Sequence, residues 1–289
     1  MGVIDVKFTK KFFTCLAMAL LMMSITVTAF AAEGTTDWGK GVIRVIGNGV
    51  GKAKYKNKNP GQYRLTAQQA ARMDAQRKLA EYAMGVQVSA ESSMTDLALD
   101  DDTVKTRLNS VILKNALQIG EAKYYEDGIC EIVMELNLYG GVESVAEIAF
   151  TPYKTEPKVS FPAPVDITII NQPTVVNNNY TGLIIDCSGL GGLNPVMSPV
   201  IRNANGQAIY GHQNLDYDKI IVNGMASYAE DAYDQISRSR AGNNPLIIKA
   251  IRLDDHSANP VVSIADADKI LAANQYDRFL DNCAVVFVK

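Results

Sequence analysis

The chain has 289 residues, 47% hydrophobic and 20% charged, with a formal net charge of −3. That balance excludes a largely disordered chain, and a mildly acidic protein is a poor partner for nucleic acid. Length and patterning instead fit an α+β / α/β protein of two domains, an antiparallel-containing sheet packed with a long helix and then a mixed α/β domain.

In chain order, residues 1–31 read as an export signal. Lys7, Lys10 and Lys11 precede an apolar run from Phe12 to Phe30, and the small residues Ala29, Ala31 and Ala32 sit where a signal peptidase cuts. The expected cut falls between Ala31 and Ala32, which sends the remainder to the periplasm or the cell surface. A retained anchor is the alternative, because the apolar run is nearly as long as a membrane span. The acidic, small flank of Ala32, Glu33 and Gly34 favours cleavage. Removing the segment takes three lysines and one aspartate from the net charge of −3, leaving −5.

Residues 32–150 form the first expected domain. Gly41 to Ile46 reads as a short strand broken by Gly47, Asn48, Gly49 and Gly51, and Lys52 to Asn59 as a polar loop. A long helix follows over Gln62 to Met84, with Ala67, Ala70, Ala71, Ala75, Leu79 and Tyr82 recurring every three or four residues. Its small side chains imply close approach to a sheet. Arg72, Arg77 and Lys78 are read as a solvated face, because Asp74 and Glu81 interleave with them. Gly85 is expected to end this helix as a C′ residue, Val86 to Ala90 to form a strand, and Asp100, Asp101 and Asp102 to open a second helix. Glu126-Asp127-Gly128 is a hairpin turn between Gln118 to Tyr125 and Ile129 to Leu138. On the latter strand Cys130, Ile132, Met134, Leu136 and Leu138 share one face. A short helix is expected near Val142 to Ala149.

Residues 151–180 read as a linker rich in proline and asparagine, semi-stiff and extended, in which Val165 to Ile170 could add an edge strand. Residues 181–289 form the second domain. Gly182 to Cys187 is an apolar strand, Asn203 to Gly206 turns a hairpin, and Ser227 to Arg238 looks helical. Leu246 to Leu253 reads as one strand and Val261 to Ser263 as another. Ser263 and Asp266 fit a capping box for a helix over Ile264 to Ala273, and Cys283 to Val288 is a closing strand.

No motif assembles a catalytic or metal centre. Asp96, Asp100, Asp101 and Asp102 lack the alternating ligands of a calcium loop and are better explained by the dipole of a helix N-terminus. Ser188-Gly189-Leu190-Gly191-Gly192 follows a strand, yet it matches neither a phosphate loop nor a nucleophile elbow. Asp186 and Ser188 are therefore weak candidates for a ligand loop. His212 and His256 are read as surface or turn histidines. Cys15 belongs to the signal, and Ala32 stands where a lipid-bearing cysteine would have to be. Cys130, Cys187 and Cys283 are expected as buried thiols, with a Cys187–Cys283 disulfide as the alternative. No cofactor and no metal is expected.

Ala70 to Ala83 (AARMDAQRKLAEYA), the segment Gly85-Val86-Gln87-Val88, and Glu126-Asp127-Gly128 leading into Glu131-Ile132-Val133-Met134-Glu135 resemble the bacterial LPP-twenty lipoprotein family. Thr181 to Asp186, Asn244-Pro245-Leu246 and Ala265 to Ile270 look like the C-terminal extension of its longer members. The first domain is also similar to the N-terminal part of flagellar assembly protein T. These resemblances imply an envelope protein, often membrane-associated, with no catalytic residues to carry over. The missing lipid-attachment cysteine departs from the family name, and peripheral membrane association stays open. The sequence thus leads to a non-enzymatic interaction or scaffold module with envelope proteins as partners. A periplasmic component associated with flagellar assembly, or an exported hydrolase or ligand-binding protein using the Asp186-Gly192 loop, are the alternatives.

Overall fold

A computed structural model of the chain describes residues 34–164 and 179–289. The signal with its expected cut at Ala31 and Ala32, and the edge strand expected over Val165 to Ile170, lie outside the described residues. Those residues form seven α-helices and twelve strands, an α+β fold.

The first sheet is antiparallel, in the order β1 (Gly34–Asp37), β2 (Val42–Val50), β4 (Ile129–Asn137), β3 (Leu117–Tyr124). Strand β2 continues through Gly47 and Gly49 rather than breaking at them. The reason is helix α1 (Pro60–Met84), which lies across this strand. A Cβ on Gly47 would stand 2.2 Å from the Ala71 carbonyl oxygen, and one on Gly49 would stand 2.1 Å from the Ala71 nitrogen. Glycine there serves backbone contact between strand and helix, with Ala67, Ala71 and Ala75 as the matching small residues. Asn59 caps α1, its side chain accepting the Gln62 N–H at 3.1 Å, and Pro60 takes the first helical position.

Gly85 ends α1 with a φ of −81°, so it is not the left-handed C′ residue expected. Val86 to Ala90 is not a ladder strand; it forms one isolated bridge, Gln87 to Ser93. The segment pairs instead with the second half of the chain, where Met197 N–H donates to the Gln87 carbonyl at 3.0 Å and Ser198 N–H to Val88 at 2.7 Å. Asp102 is the N-cap of a helix that starts at Thr103, as expected, but Asp96 and Asp100 lie in a shorter helix before it. Helix α2 (Met94–Asp100) starts at a capping box of Ser93 and Asp96, and α3 (Thr103–Asn115) follows. Hydrogen bonds favour the ionised forms of Asp96 and Asp101, chiefly from Ser93 for Asp96 and from the Thr103 N–H for Asp101. Both carboxyls are thereby held below the usual carboxylate range. The hairpin between β3 and β4 forms at Asp127-Gly128 as expected, with Gly128 at φ +89°. Cys130, Ile132, Met134, Leu136 and Leu138 are all buried on one face, toward α1.

After α4 (Val145–Phe150) and a 3-10 turn at Thr151–Tyr153, the chain runs without regular structure to residue 164. It lies against the following domain, Val159 N–H donating to the Gln213 carbonyl at 2.7 Å. The second half is built on a parallel sheet in the order β8 (Ser227–Ala229), β12 (Val285–Val288), β5 (Gly182–Asp186), β9 (Pro245–Lys249). Beside it sits a smaller mixed sheet in the order β10 (Arg252–Asp254), β11 (Asn259–Val262), β6 (Ile201–Asn203), β7 (Ala208–Tyr210). Helices α5 (Tyr217–Asn223), α6 (Gln235–Ala241) and α7 (Ile264–Asp277) complete it.

Two sequence expectations are corrected here. Ser227 to Arg238 is not one helix, because Tyr228 pairs with Phe287 in the sheet and only Asp234, as N-cap, starts α6. Leu246 to Leu253 is two strands in different sheets, divided at Ala250 and Ile251. In both places an apolar run marks burial without marking where the chain turns. A single buried cluster runs through both halves, from Ile43, Leu79 and Phe150 to Leu183, Ile220 and Phe287.

Candidate functional site

Asp186 ends β5, in register with Lys249 and Val288. Its carboxylate accepts the Ser188 N–H at 2.9 Å, and hydrogen bonding with Ser188 holds the carboxyl below its ordinary range against partial burial. Ser188 is exposed, and Gly189, Gly191 and Gly192 carry the turn at positive φ. This is an Asx turn at the strand end, chemically able to fix the loop.

Burial raises the thiols of Cys130 and Cys283, and raises Cys187 to about 12 with help from the Asp186 charge. All three are free and buried, so Cys187 and Cys283 do not form a disulfide. His212 packs on the Tyr153 ring with centroids 4.2 Å apart and lies 3.2 Å from Glu156. Lys78 departs from the solvated face expected of it. It is 4% exposed, donates to the Ile46 carbonyl at 2.9 Å and pairs with Asp74 at 3.0 Å. Arg77 keeps the expected partners, Asp74 and Glu81. Among the described residues, no group of three His, Cys, Asp or Glu side chains is placed to hold a metal ion.

Among the described residues, no element covers the sheet face opposite α1. Its central row is Ile46, Val133 and Ile119, aligned across β2, β4 and β3. Arg44 pairs with Glu135 on one side of that row, and Lys123 with Glu131 at 3.4 Å on the other. Ile119 is 42% exposed and its neighbour Leu117 61%. Among the described residues strand β3 is at the edge of this sheet, so the apolar row ends at a backbone edge that none of them pairs.

A cavity of ≈ 450 Å³ lies where the two halves meet. Four segments line it: Thr36 in β1 with Trp38 just after it, Gly85 to Gln87 with Ser89 and Ala90 after α1, Asn194 to Val196, and His256 with Ala258. Tyr228 fixes one wall, its hydroxyl accepting the Val196 N–H at 3.0 Å and donating to the Val196 carbonyl at 2.9 Å. The Trp38 ring meets Tyr228 edge-on at 5.9 Å, and Tyr228 in turn packs on Phe287. Opposite, Asp255, His256 and Ser257 all take left-handed backbone angles, with φ of 51°, 56° and 63°. Such a run of non-glycine residues is costly and persists only when held. Asn194 holds it, through its amide to the His256 carbonyl at 2.6 Å and its N–H to the Ser257 carbonyl at 2.9 Å. Asp255 is held in turn by Asn259 at 2.7 Å and Arg202 at 3.2 Å.

Neither Asp186 nor Ser188 lines this cavity. In the sequence Gly85 to Ala90 reads as a helix end and an expected strand, and apart from His256 nothing there marks these lining residues as a candidate site. Residues 182–289 match the family model described as Treponema pallidum Tp0624, second domain. The match begins at the first residue of β5 and so outlines a second domain. No curated protein matches the chain.

Proposed function

We propose that the chain is an exported cell-envelope protein that works as a non-catalytic interaction or scaffold module. The observation that carries this reading is the sheet face left open among the described residues: an apolar row of Ile46, Val133 and Ile119, bordered by opposite-charge pairs and ending at the β3 edge. An apolar strip flanked by charges is suited to a protein partner, which buries the strip and reads the charges for register. The resemblance of Ala70 to Glu135 to the LPP-twenty family and the basic, apolar start of the sequence support the envelope as its place. No helix among the described residues is long and apolar enough to cross a membrane.

The test is site-specific photo-crosslinking from Ile119 in cells, followed by fractionation and intact-mass measurement. The expected result is a processed chain in the envelope fraction with one dominant protein adduct, lost when a charge is placed beside the probe by Leu117→Asp. An unprocessed chain in the cytosol, or adducts equal in yield to those from a probe at the exposed Glu91, would defeat the proposal.

A further inference from the structure

The cavity between Trp38 and His256 is distinct from the sheet face, and its chemistry is selective. No Asp, Glu, Lys or Arg lines it. A charged ligand there would find no carboxylate, ammonium or guanidinium group among the lining residues to replace its hydration. A wholly apolar ligand would strand the polar groups instead, because Gln87, Asn194 and His256 are exposed at its surface. Among the described residues no hydrogen bond is made by the Gln87 side-chain amide or the His256 imidazole, while Asn194 gives one N–H of its side-chain amide to the strained loop and keeps its carbonyl oxygen as acceptor. The ligand must therefore be neutral, offer both donors and acceptors around its rim, and present an apolar face to an indole.

A pyranose ring meets all three conditions. Its hydroxyls each donate and accept, and so suit side-chain amides, which do both, and ring nitrogens. Its axial C–H bonds form a flat apolar face that the negative face of an aromatic ring attracts. The volume of ≈ 450 Å³ is within the range of small-molecule sites, and the walls are fixed in advance by the Tyr228–Val196 bonds and by Asn194. The left-handed loop is a strained element at the rim, which places His256 at the cavity mouth. We infer that this cavity binds a neutral saccharide, with Trp38 as the stacking platform and Gln87, Asn194 and His256 as the hydroxyl readers.

Because Trp38 is the chain's one tryptophan, its intrinsic emission reports on this cavity alone. The purified protein is titrated with chitotetraose, cellotetraose and maltotetraose, and separately with glucose 6-phosphate and adenosine. The expected result is a saturable change in emission with at least one neutral tetrasaccharide. Binding should weaken about fivefold in Gln87→Ala, the loss of one neutral hydrogen bond, with the melting temperature unchanged. The charged sugar should bind far more weakly. An emission unchanged by all three tetrasaccharides, a titration identical in Gln87→Ala, or stronger binding of glucose 6-phosphate or adenosine would each overturn the inference. None of these outcomes bears on the sheet face, which the crosslinking experiment tests by itself.

Discussion

Lys78 and Asp74 show how one buried charge pair fastens a helix to a strand. Lys78 donates to the Ile46 carbonyl while Asp74 accepts the Asn48 N–H at 3.0 Å, so two neighbouring turns of α1 grip alternate residues of β2. Replacing Lys78 with alanine leaves that carbonyl without its donor and the Asp74 charge with one partner fewer. Urea unfolding should show a loss of about 2–4 kcal/mol. Burial would raise the Asp74 carboxyl, but the Asn48 N–H, Arg77 and Lys78 together hold it below the usual carboxylate range. A carboxyl depressed by folding stabilises above its unfolded value and loses that contribution as the pH falls through its folded value. Stability should therefore be level near neutrality and decline below about pH 4. Asp74→Asn should be less stable at pH 7 and show a shallower acid decline in the same measurement. The sequence placed these residues on the right helix but on its solvent side. A lysine among acidic neighbours reads as surface, and only the depth at which α1 seats on the sheet reveals otherwise.

At the scale of elements, the closest packing in the first half depends on glycine paired with alanine. Gly47→Val or Gly49→Val places new atoms inside the backbone of α1 and should lower stability by about 3 kcal/mol in thermal or urea melts, whereas the exposed Val50→Ala should change little. The periodicity of α1 and the alternation of Cys130 to Leu138 were legible in the sequence, because each repeats its own geometric period. The path of β2 was not, since glycines that punctuate most strands here admit a helix. The break at Ala250 and the strand at Ser227–Ala229 were hidden for a related reason. Ser227–Ala229 is only three residues long, and Leu246 to Ile248 are apolar on the exposed as well as the buried side, so neither strand shows a polar alternation in the sequence.

For the whole molecule, the buried cluster that crosses from Leu79 and Phe150 to Ile220 and Phe287 couples the two halves. Calorimetry should accordingly find one transition, with calorimetric and van't Hoff enthalpies equal. Two resolved transitions would mean that the halves melt separately. The saccharide cavity belongs to this scale as well. Its four segments lie far apart in the sequence, so no local spacing could mark it, and the loop after β5, which did have a suggestive position, turns out to use its aspartate to close a turn.

The order of strands in the parallel sheet also sets a timetable. Strand β5 is made early, yet it lies between β9 and β12, and β12 supplies Val285–Val288. A polypeptide delivered from its amino end would finish the first sheet while Leu183, Ile184 and Ile185 still waited for a neighbour about a hundred residues away. For that interval the nascent protein carries a bare apolar ribbon, and a holdase that shields it would govern yield more than any gain in final stability.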